Sequence, residues 1–125
     1  MTSSTKTLRV LVVDDHELTR HTLKLALSLQ SCIEFVEVAT NGKEAIAKVN
    51  QCHPDVVIMD LHMPVMNGWA ASSEIKSQHS HIKIVAYSAA DGGKEQAIAN
   101  GANIDFFCDK GACTRSLLEA IKSVA

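Results

Sequence analysis

Aromatic residues are scarce in this chain. Three Phe, one Trp and one Tyr make up 4% of its 125 residues, so the core has to be assembled from Val, Ile, Leu and Ala. Basic residues show no excess either: 12 Lys and Arg stand against 14 Asp and Glu, a formal net charge of −2. Without a basic stripe, the electrostatic footprint of nucleic-acid binding is missing. Long hydrophobic runs are lacking too. The amino end, Met1 to Thr7, has no apolar signal core, and no later run approaches transmembrane length. The expected location is therefore the cytosol. Four cysteines (Cys32, Cys52, Cys108, Cys113) form no C-x-x-C pair, and with the six histidines they show no zinc-ligand spacing. Buried or incidental thiols are expected.

What is present has the size and balance of one globular domain, with 46% apolar and 21% charged residues. Residues 1–7 are expected to be a flexible segment and residues 8–125 the domain. The organising stretch is Val56-Val57-Ile58-Met59-Asp60-Leu61-His62-Met63-Pro64. Four apolar residues read as a short buried strand with an aspartate at its carboxyl end. Met63-Pro64 then breaks regular pairing, and Asn67-Gly68 turns the chain into a helical pattern.

The same alternation runs through the rest. Leu8 to Val13 reads as a central parallel strand ending in Asp14-Asp15. Leu18, Thr22, Leu25 and Leu29 then recur at helical spacing, with Glu17, Arg20, His21 and Lys24 between them, and predict an amphipathic helix. Further strands are predicted over Glu34 to Val38, Ile82 to Tyr87 and Ile104 to Cys108. Helical stripes are predicted at Ala45, Ile46 and Val49, at Trp69, Ala71 and Ile75, at Ala97 and Ile98 (closed by Asn100-Gly101), and at Leu117, Leu118, Ile121 and Val124. Glu74 and Lys76 are expected on the outer face of the third helix.

Five strands alternating with five helices predict a doubly wound α/β sandwich, a parallel sheet covered on both faces, and the order taken for it is 2-1-3-4-5, one of the two common orders of such sheets. That order makes the strands ending at Asp14-Asp15 and Asp60 neighbours at the switch point, where open α/β sheets bind ligands. Asp14, Asp15, Asp60, Ser88 and Lys110 would all gather at one sheet edge. Crowded carboxylates repel, which favours either a bound divalent cation or retention of a proton. Mg²⁺, with its preference for a few hard oxygen ligands and several waters, would suit two carboxylates and a backbone carbonyl. Asp60 is placed to attack phosphorus and form an acyl phosphate, with Lys110 and the Ser88 hydroxyl helping to neutralise charge. Each piece has a plain alternative: an Asp-Asp pair can be a helix N-cap, and Ser or Lys after a strand can be a solvated turn residue.

From about Leu8 to Val124 the chain resembles the receiver (phosphoacceptor) domain of two-component response regulators, a flavodoxin-like (βα)5 fold. The matching residues are Val12-Val13-Asp14-Asp15, Met59-Asp60-Leu61-His62-Met63-Pro64-Val65-Met66-Asn67-Gly68, Ala86-Tyr87-Ser88-Ala89 and Lys110. The resemblance implies that Asp60 accepts a phosphoryl group from a histidine kinase or phosphotransfer protein. It implies Mg²⁺ at Asp14 and Asp15, with Asp15, Asp60 and the His62 backbone carbonyl as direct ligands. Ser88 matches the switch hydroxyl, Phe107 the switch aromatic and Lys110 the phosphate-pairing lysine. Phosphorylation would then change the partner affinity of the face made by the fourth helix, fifth strand and fifth helix, a face that in this family often mediates dimers. The stretch Val13-Asp14-Asp15-His16-Glu17-Leu18-Thr19-Arg20 looks most like the NarL/LuxR-type branch of transcription regulators.

Two departures stand out. Gly111 follows the lysine where the family usually has proline, and no effector domain follows Ala125, so no nucleic-acid contact is expected of this chain. No membrane contact is expected either, and the only catalysis expected is self-catalysed phosphoryl transfer and dephosphorylation. The rival readings are a phosphorylation-independent pseudo-receiver, a hydrolase or phosphatase with an aspartyl intermediate, and a flavin or nucleotide binder of the same topology. The hydrolase would need a substrate pocket that a compact chain has little material for. The flavin binder would need a phosphate loop where Asp14-Asp15 stand. His62 and Ala90, two positions after Asp60 and Ser88, are expected near the mouth of the site, where such positions tune acyl-phosphate hydrolysis in the family.

Overall fold

In the computed structural model, residues 7–61, 68–88, 104–109 and 114–124 are described, without the side chains of Trp69, Ser88 and Thr114. Five parallel strands, β1 (Leu8–Val13), β2 (Ile33–Ala39), β3 (Val56–Asp60), β4 (Lys83–Ser88) and β5 (Phe106–Asp109), form one sheet of order β2-β1-β3-β4-β5. Helices α1 (Glu17–Ser28), α2 (Gly42–Cys52), α3 (Gly68–Gln78) and α4 (Thr114–Val124) are described around it. The predicted topology is the observed one. The short helix expected at Ala97 and Ile98, with its Asn100-Gly101 end, lies outside the described residues, as does the amino-terminal segment up to residue 6.

Because β1 and β3 are central, they are buried on both faces and read as unbroken apolar runs. The period-2 alternation of strand side chains then sorts them into two clusters. Val10, Val12, Val56, Ile58 and Val85 pack under α1 and α4 with Leu23, Leu27, Leu117 and Ile121. Leu11, Val13, Val57, Met59 and Ile84 pack on the other face under α2 and α3, with Ala45, Val49, Ala71 and Ile75.

One sequence expectation is overturned. The Leu18-Thr22-Leu25-Leu29 stripe is not the buried face of α1: Leu18 is 78%, Leu25 61% and Leu29 77% exposed, whereas Leu23 and Leu27 fill the core. Two leucine stripes share this helix, and their spacing alone cannot rank them. The shorter pair is the one that packs with Val10, Val12 and Ile58 of the sheet, and Arg20 Nη1 donates to the Asp14 carbonyl at 2.8 Å from the start of the same helix.

Lys76 is a second correction. Expected in solvent, it is largely covered and pairs with Asp105 at 2.8 Å. Asp105 also accepts from the Ile84 N–H at 2.8 Å, and its own N–H donates to the Ile84 carbonyl at 2.9 Å. Burial pushes the Asp105 carboxyl up. The Lys76 bond, the Ile84 N–H and the charges of Lys76 and Lys83 together outweigh it and hold the group below the usual aspartate value. These bonds clamp the entrance of β5 onto β4, so β5 starts at Phe106 rather than Ile104.

At the start of α2 the Asn41 side chain accepts from the Glu44 N–H at 2.9 Å, and Glu44 reaches back to the Thr40 N–H and hydroxyl. The motif works as a capping box with Asn at its head. The helix ends at His53 in the left-handed region (φ 49°), its N–H bonded to the Val49 carbonyl, with Pro54 next. Among the described residues, Cys32, Cys52 and Cys108 are free thiols, and no helix is long and apolar enough to cross a membrane.

Candidate functional site

The site forms where β1 and β3 run out side by side. Val13 pairs with Met59, and continuing that register sets Asp14 beside Asp60. Both aspartates are buried, at 0% and 2% exposure, while Asp15 and His16 stand in solvent at the rim. One side-chain ligand atom from each of Asp14, Asp15, His16 and Asp60 can be chosen so that all four lie within 4.8 Å of one another. Two buried carboxylates and a third at the rim concentrate negative charge in low-dielectric surroundings, and a divalent cation relieves that cost.

Local bonds hold the acids in place. The Asp14 N–H continues the ladder onto the Ala39 carbonyl at 3.1 Å. Its Oδ1 accepts the His16 backbone N–H at 2.8 Å, and His16 Nδ1 lies 2.9 Å from the same oxygen and 3.2 Å from Asp15 Oδ1. The N-cap of α1 is His16, and its side chain makes no capping bond. The Asp-Asp pair is therefore not the N-cap residue of this helix, although Asp14 takes a local turn role by accepting the His16 N–H.

Gly68 shapes the other wall. Its N–H donates to the Leu61 carbonyl at 3.1 Å, and a Cβ there would lie 2.1 Å from the Asp60 carbonyl oxygen. The first turn of α3 thus presses backbone to backbone on the end of β3. Only glycine permits that approach.

The remaining expected residues divide. The register Ser88↔Asp109 brings the end of β4 beside the end of β5, one residue before Lys110. Ser88 is therefore at the expected sheet edge, though its side chain lies outside the described residues. Lys110, Gly111, His62 and Ala90 lie wholly outside them. Phe107 pairs with Ala86 in register and packs, half-buried, on the small cluster of Leu61 and Ala86. Sequence reasoning missed three contributors: His16, Arg20 and Gly68 as a contact rather than a turn. A metal-ligating residue type directly after Asp14-Asp15 was the available signal for His16. Nothing in the sequence distinguished Gly68 from an ordinary turn glycine.

This arrangement sets an acidic cluster at the switch point of a 2-1-3-4-5 α/β sheet. Residues 10–122 match the family model described as "Response regulator receiver domain", and the chain belongs to that family. The response regulator protein VraR of Staphylococcus aureus is 36% identical over 119 residues, which cover 95% of this chain and 57% of VraR. The chain thus spans little more than half the length of that relative. Among solved structures, the response regulator TrrA of Thermotoga maritima, in complex with Mg²⁺-BeF, superposes with a TM-score of 0.84 at 28% identity, covering 95% of this chain and 100% of TrrA. A LuxR-family DNA-binding response regulator of Staphylococcus aureus gives 0.81 at 26% identity, covering 94% and 98%. The matches to VraR and to the LuxR-family regulator support the NarL/LuxR-type branch.

Proposed function

We propose that this receiver takes a phosphoryl group on Asp60 from the phosphohistidine of a sensor kinase or phosphotransfer protein, and that the transfer changes its affinity for an output partner. The observation that carries this is the convergence of Asp14, Asp15 and Asp60 at one point of the switch crevice. A carboxylate oxygen of Asp60 attacks phosphorus as the P–N bond breaks, and the departing imidazole keeps the electron pair and takes up a proton. The product is an acyl phosphate, which water hydrolyses, restoring the Asp60 carboxylate and releasing inorganic phosphate. The chain has no separate substrate to turn over; it catalyses its own phosphorylation and dephosphorylation.

The carboxylates of Asp14, Asp15 and Asp60 fit Mg²⁺: Asp15 and Asp60 would be direct ligands, the family resemblance implies the His62 backbone carbonyl as a third, and Asp14 would hold a water of the ion. When bound, the ion supplies positive charge to the phosphoryl oxygens. Asp14 and Asp60 hold their places by burial and by the β1–β3 register, Lys110 pairs with the phosphate, and the Ser88 hydroxyl donates to it. Phe107 follows Ser88 inward, repacking on Leu61 and Ala86. Such a switch operates only as far as the phosphoryl group interacts differently with the two conformations. The chain acts in the cytosol without direct membrane or nucleic-acid contact. Any DNA binding belongs to an effector region or partner, and a dimer, if formed, would use the face of the helix expected at Ala97 and Ile98, β5 and α4.

Incubation with Mg²⁺ and acetyl phosphate, read by intact mass, tests the reading. One metal-dependent phosphoryl adduct is expected, absent from Asp60→Asn. No adduct, together with no spectral response to beryllofluoride, would refute it and leave the pseudo-receiver, against which the full set of acids now speaks. Ser88→Ala should retain the adduct and lose phosphorylation-dependent partner binding.

A further inference from the structure

The outward stripe of α1 has no part in the transfer described above. Leu18, Thr22, Leu25 and Leu29 are all exposed, and they recur at intervals of four, three and four residues. That is the seam spacing of helices that pack side by side. Leu29, the C-cap, keeps right-handed helical dihedrals (φ −80°, ψ −9°), so the stripe runs the length of the helix.

The charges of the helix avoid this seam. An outward helix face ordinarily carries the charged residues. Here the positions flanking the stripe are Thr19, His21, Ala26 and Ser28, with no Asp, Glu, Lys or Arg among them. Glu17 and Lys24 fall more than about 100° round the helix from its midline. Arg20 lies on the far side, bonded to the Asp14 carbonyl. The side of α1 turned to water is thus apolar along its middle and poor in charge at its edges.

The stripe is also self-complementary. A four-three-four spacing reads the same from either end, so a second copy can lie antiparallel about a twofold axis. Leu18 then meets the partner's Leu29, and Thr22 meets the partner's Leu25. Thr19 faces the partner's Ala26, and His21 the partner's Ser28, so small flanks let the helices approach and no like charges come face to face. On the Ala26 side a groove of about 550 Å³ runs between α1 and α4, lined in part by Ala26, Leu29, Leu118 and Lys122. The partner's Leu18 arrives at its mouth.

We infer that this seam joins two copies of the chain, α1 against α1 in antiparallel pairing, without any need for phosphorylation. It goes beyond the phosphoryl-transfer reading and does not depend on it. The surface is separate from the β5 side of α4, where another groove is lined by Phe106, Ser116 and Ser123. Three leucines and one groove wall per copy make an interface at or below the roughly 1,200 Å² of transient contacts. Association is therefore expected at roughly 10 µM to 1 mM.

Sedimentation equilibrium of the unphosphorylated chain over that range tests this. The average mass is expected to rise from one chain toward two. Leu25→Glu, at the middle of the seam, is expected to remain monomeric, with a wild-type urea midpoint showing that it folds. Phe106→Ser, on the β5 side, is expected to associate as wild type does. The direction of pairing has its own test. Leu18→Lys and Leu29→Glu should each weaken association at least about tenfold, and an equimolar mixture should recover it, because position 18 of one copy meets position 29 of the other. A wild-type monomer at every concentration would overturn the inference and leave the seam to a helix of another protein. Association that survives Leu25→Glu, or that Phe106→Ser abolishes, would place the contact elsewhere and overturn it too. Variants that weaken association without recovery on mixing would overturn the antiparallel pairing. The phosphoryl adduct bears on none of these outcomes, so failure of either reading leaves the other standing.

Discussion

Replacing Gly68 with alanine probes the joint between the scaffold and the chemistry. The added Cβ would sit 2.1 Å from the Asp60 carbonyl oxygen, 2.7 Å from Leu61 Cα and 2.8 Å from the Asp60 carbonyl carbon. All three are backbone atoms, so no side chain can swing aside. To reach even the shortest contact that real Cβ atoms make, α3 and the end of β3 must separate by about 0.9 Å. Alanine favours a helix over glycine by about 0.5–1 kcal/mol, whereas overpacking costs about 1–3 kcal/mol. The clash should win, leaving Gly68→Ala about 1–2 kcal/mol less stable. With a urea slope of about 1–3 kcal/mol per molar, the midpoint falls by roughly 0.3–2 M. Because the displaced atoms belong to Asp60 and Leu61, phosphorylation by acetyl phosphate should slow by about tenfold or more. A variant as stable as wild type and phosphorylated at the same rate would refute the reasoning, since α3 would then be free to move without disturbing Asp60.

Three further outcomes follow from the packing. Leu27→Ala should cost about 2–5 kcal/mol in urea unfolding, whereas Leu25→Ser, on the outward stripe of α1, should stay within about 0.5 kcal/mol; equal losses would mean that the helix is seated the other way round. Burial raises the Asp105 pKa, but Lys76, the Ile84 N–H and Lys83 bring it below the ordinary value of 3.8, so the pair stabilises the fold above that pH and its contribution is lost as pH falls through the lower folded value. Lys76→Met should therefore cost about 1 kcal/mol at neutral pH, with the gap to wild type closing in strong acid. Glu44 is likewise lowered from 4.5, chiefly by the Thr40 N–H and hydroxyl. Glu44→Ala should lose less than about 1 kcal/mol at pH 7, and the difference should shrink in thermal melts as pH drops below 4.5.

Much of this was legible in the sequence because the strands carry period-two or fully apolar patterns bounded by acids and turns. That suffices to find the strands at Leu8 to Val13, Val56 to Met59 and Ile82 to Tyr87, and the 2-1-3-4-5 order that the family resemblance supports brings Asp14 beside Asp60. The errors came where two patterns compete or where a partner is distant in sequence. Helix α1 offers leucines on two sides, and helical spacing alone does not say that Leu23 and Leu27 pack on the sheet while Leu18, Leu25 and Leu29 stay exposed. Lys76 looked like a solvent-facing residue because Asp105, which covers it, arrives on another element. Gly68 reads as punctuation in one dimension and as a contact in three. His16 was passed over because a lone histidine at a helix start carries no ligand pattern until the loop folds it over the acids.

The sheet that divides the core also partitions the ways in which this sequence can change. Side chains of β1 alternate strictly between the cluster under α1 and α4 and the cluster under α2 and α3, and backbone lies between them. Substitutions such as Leu27→Ala on one side and Ile75→Val on the other share no packing neighbour, so their effects should add rather than compensate. Each half of the interior can therefore be rewritten by its own series of paired exchanges. The strip they share is the peptide backbone of β1 and β3, which leads straight to the two buried aspartates.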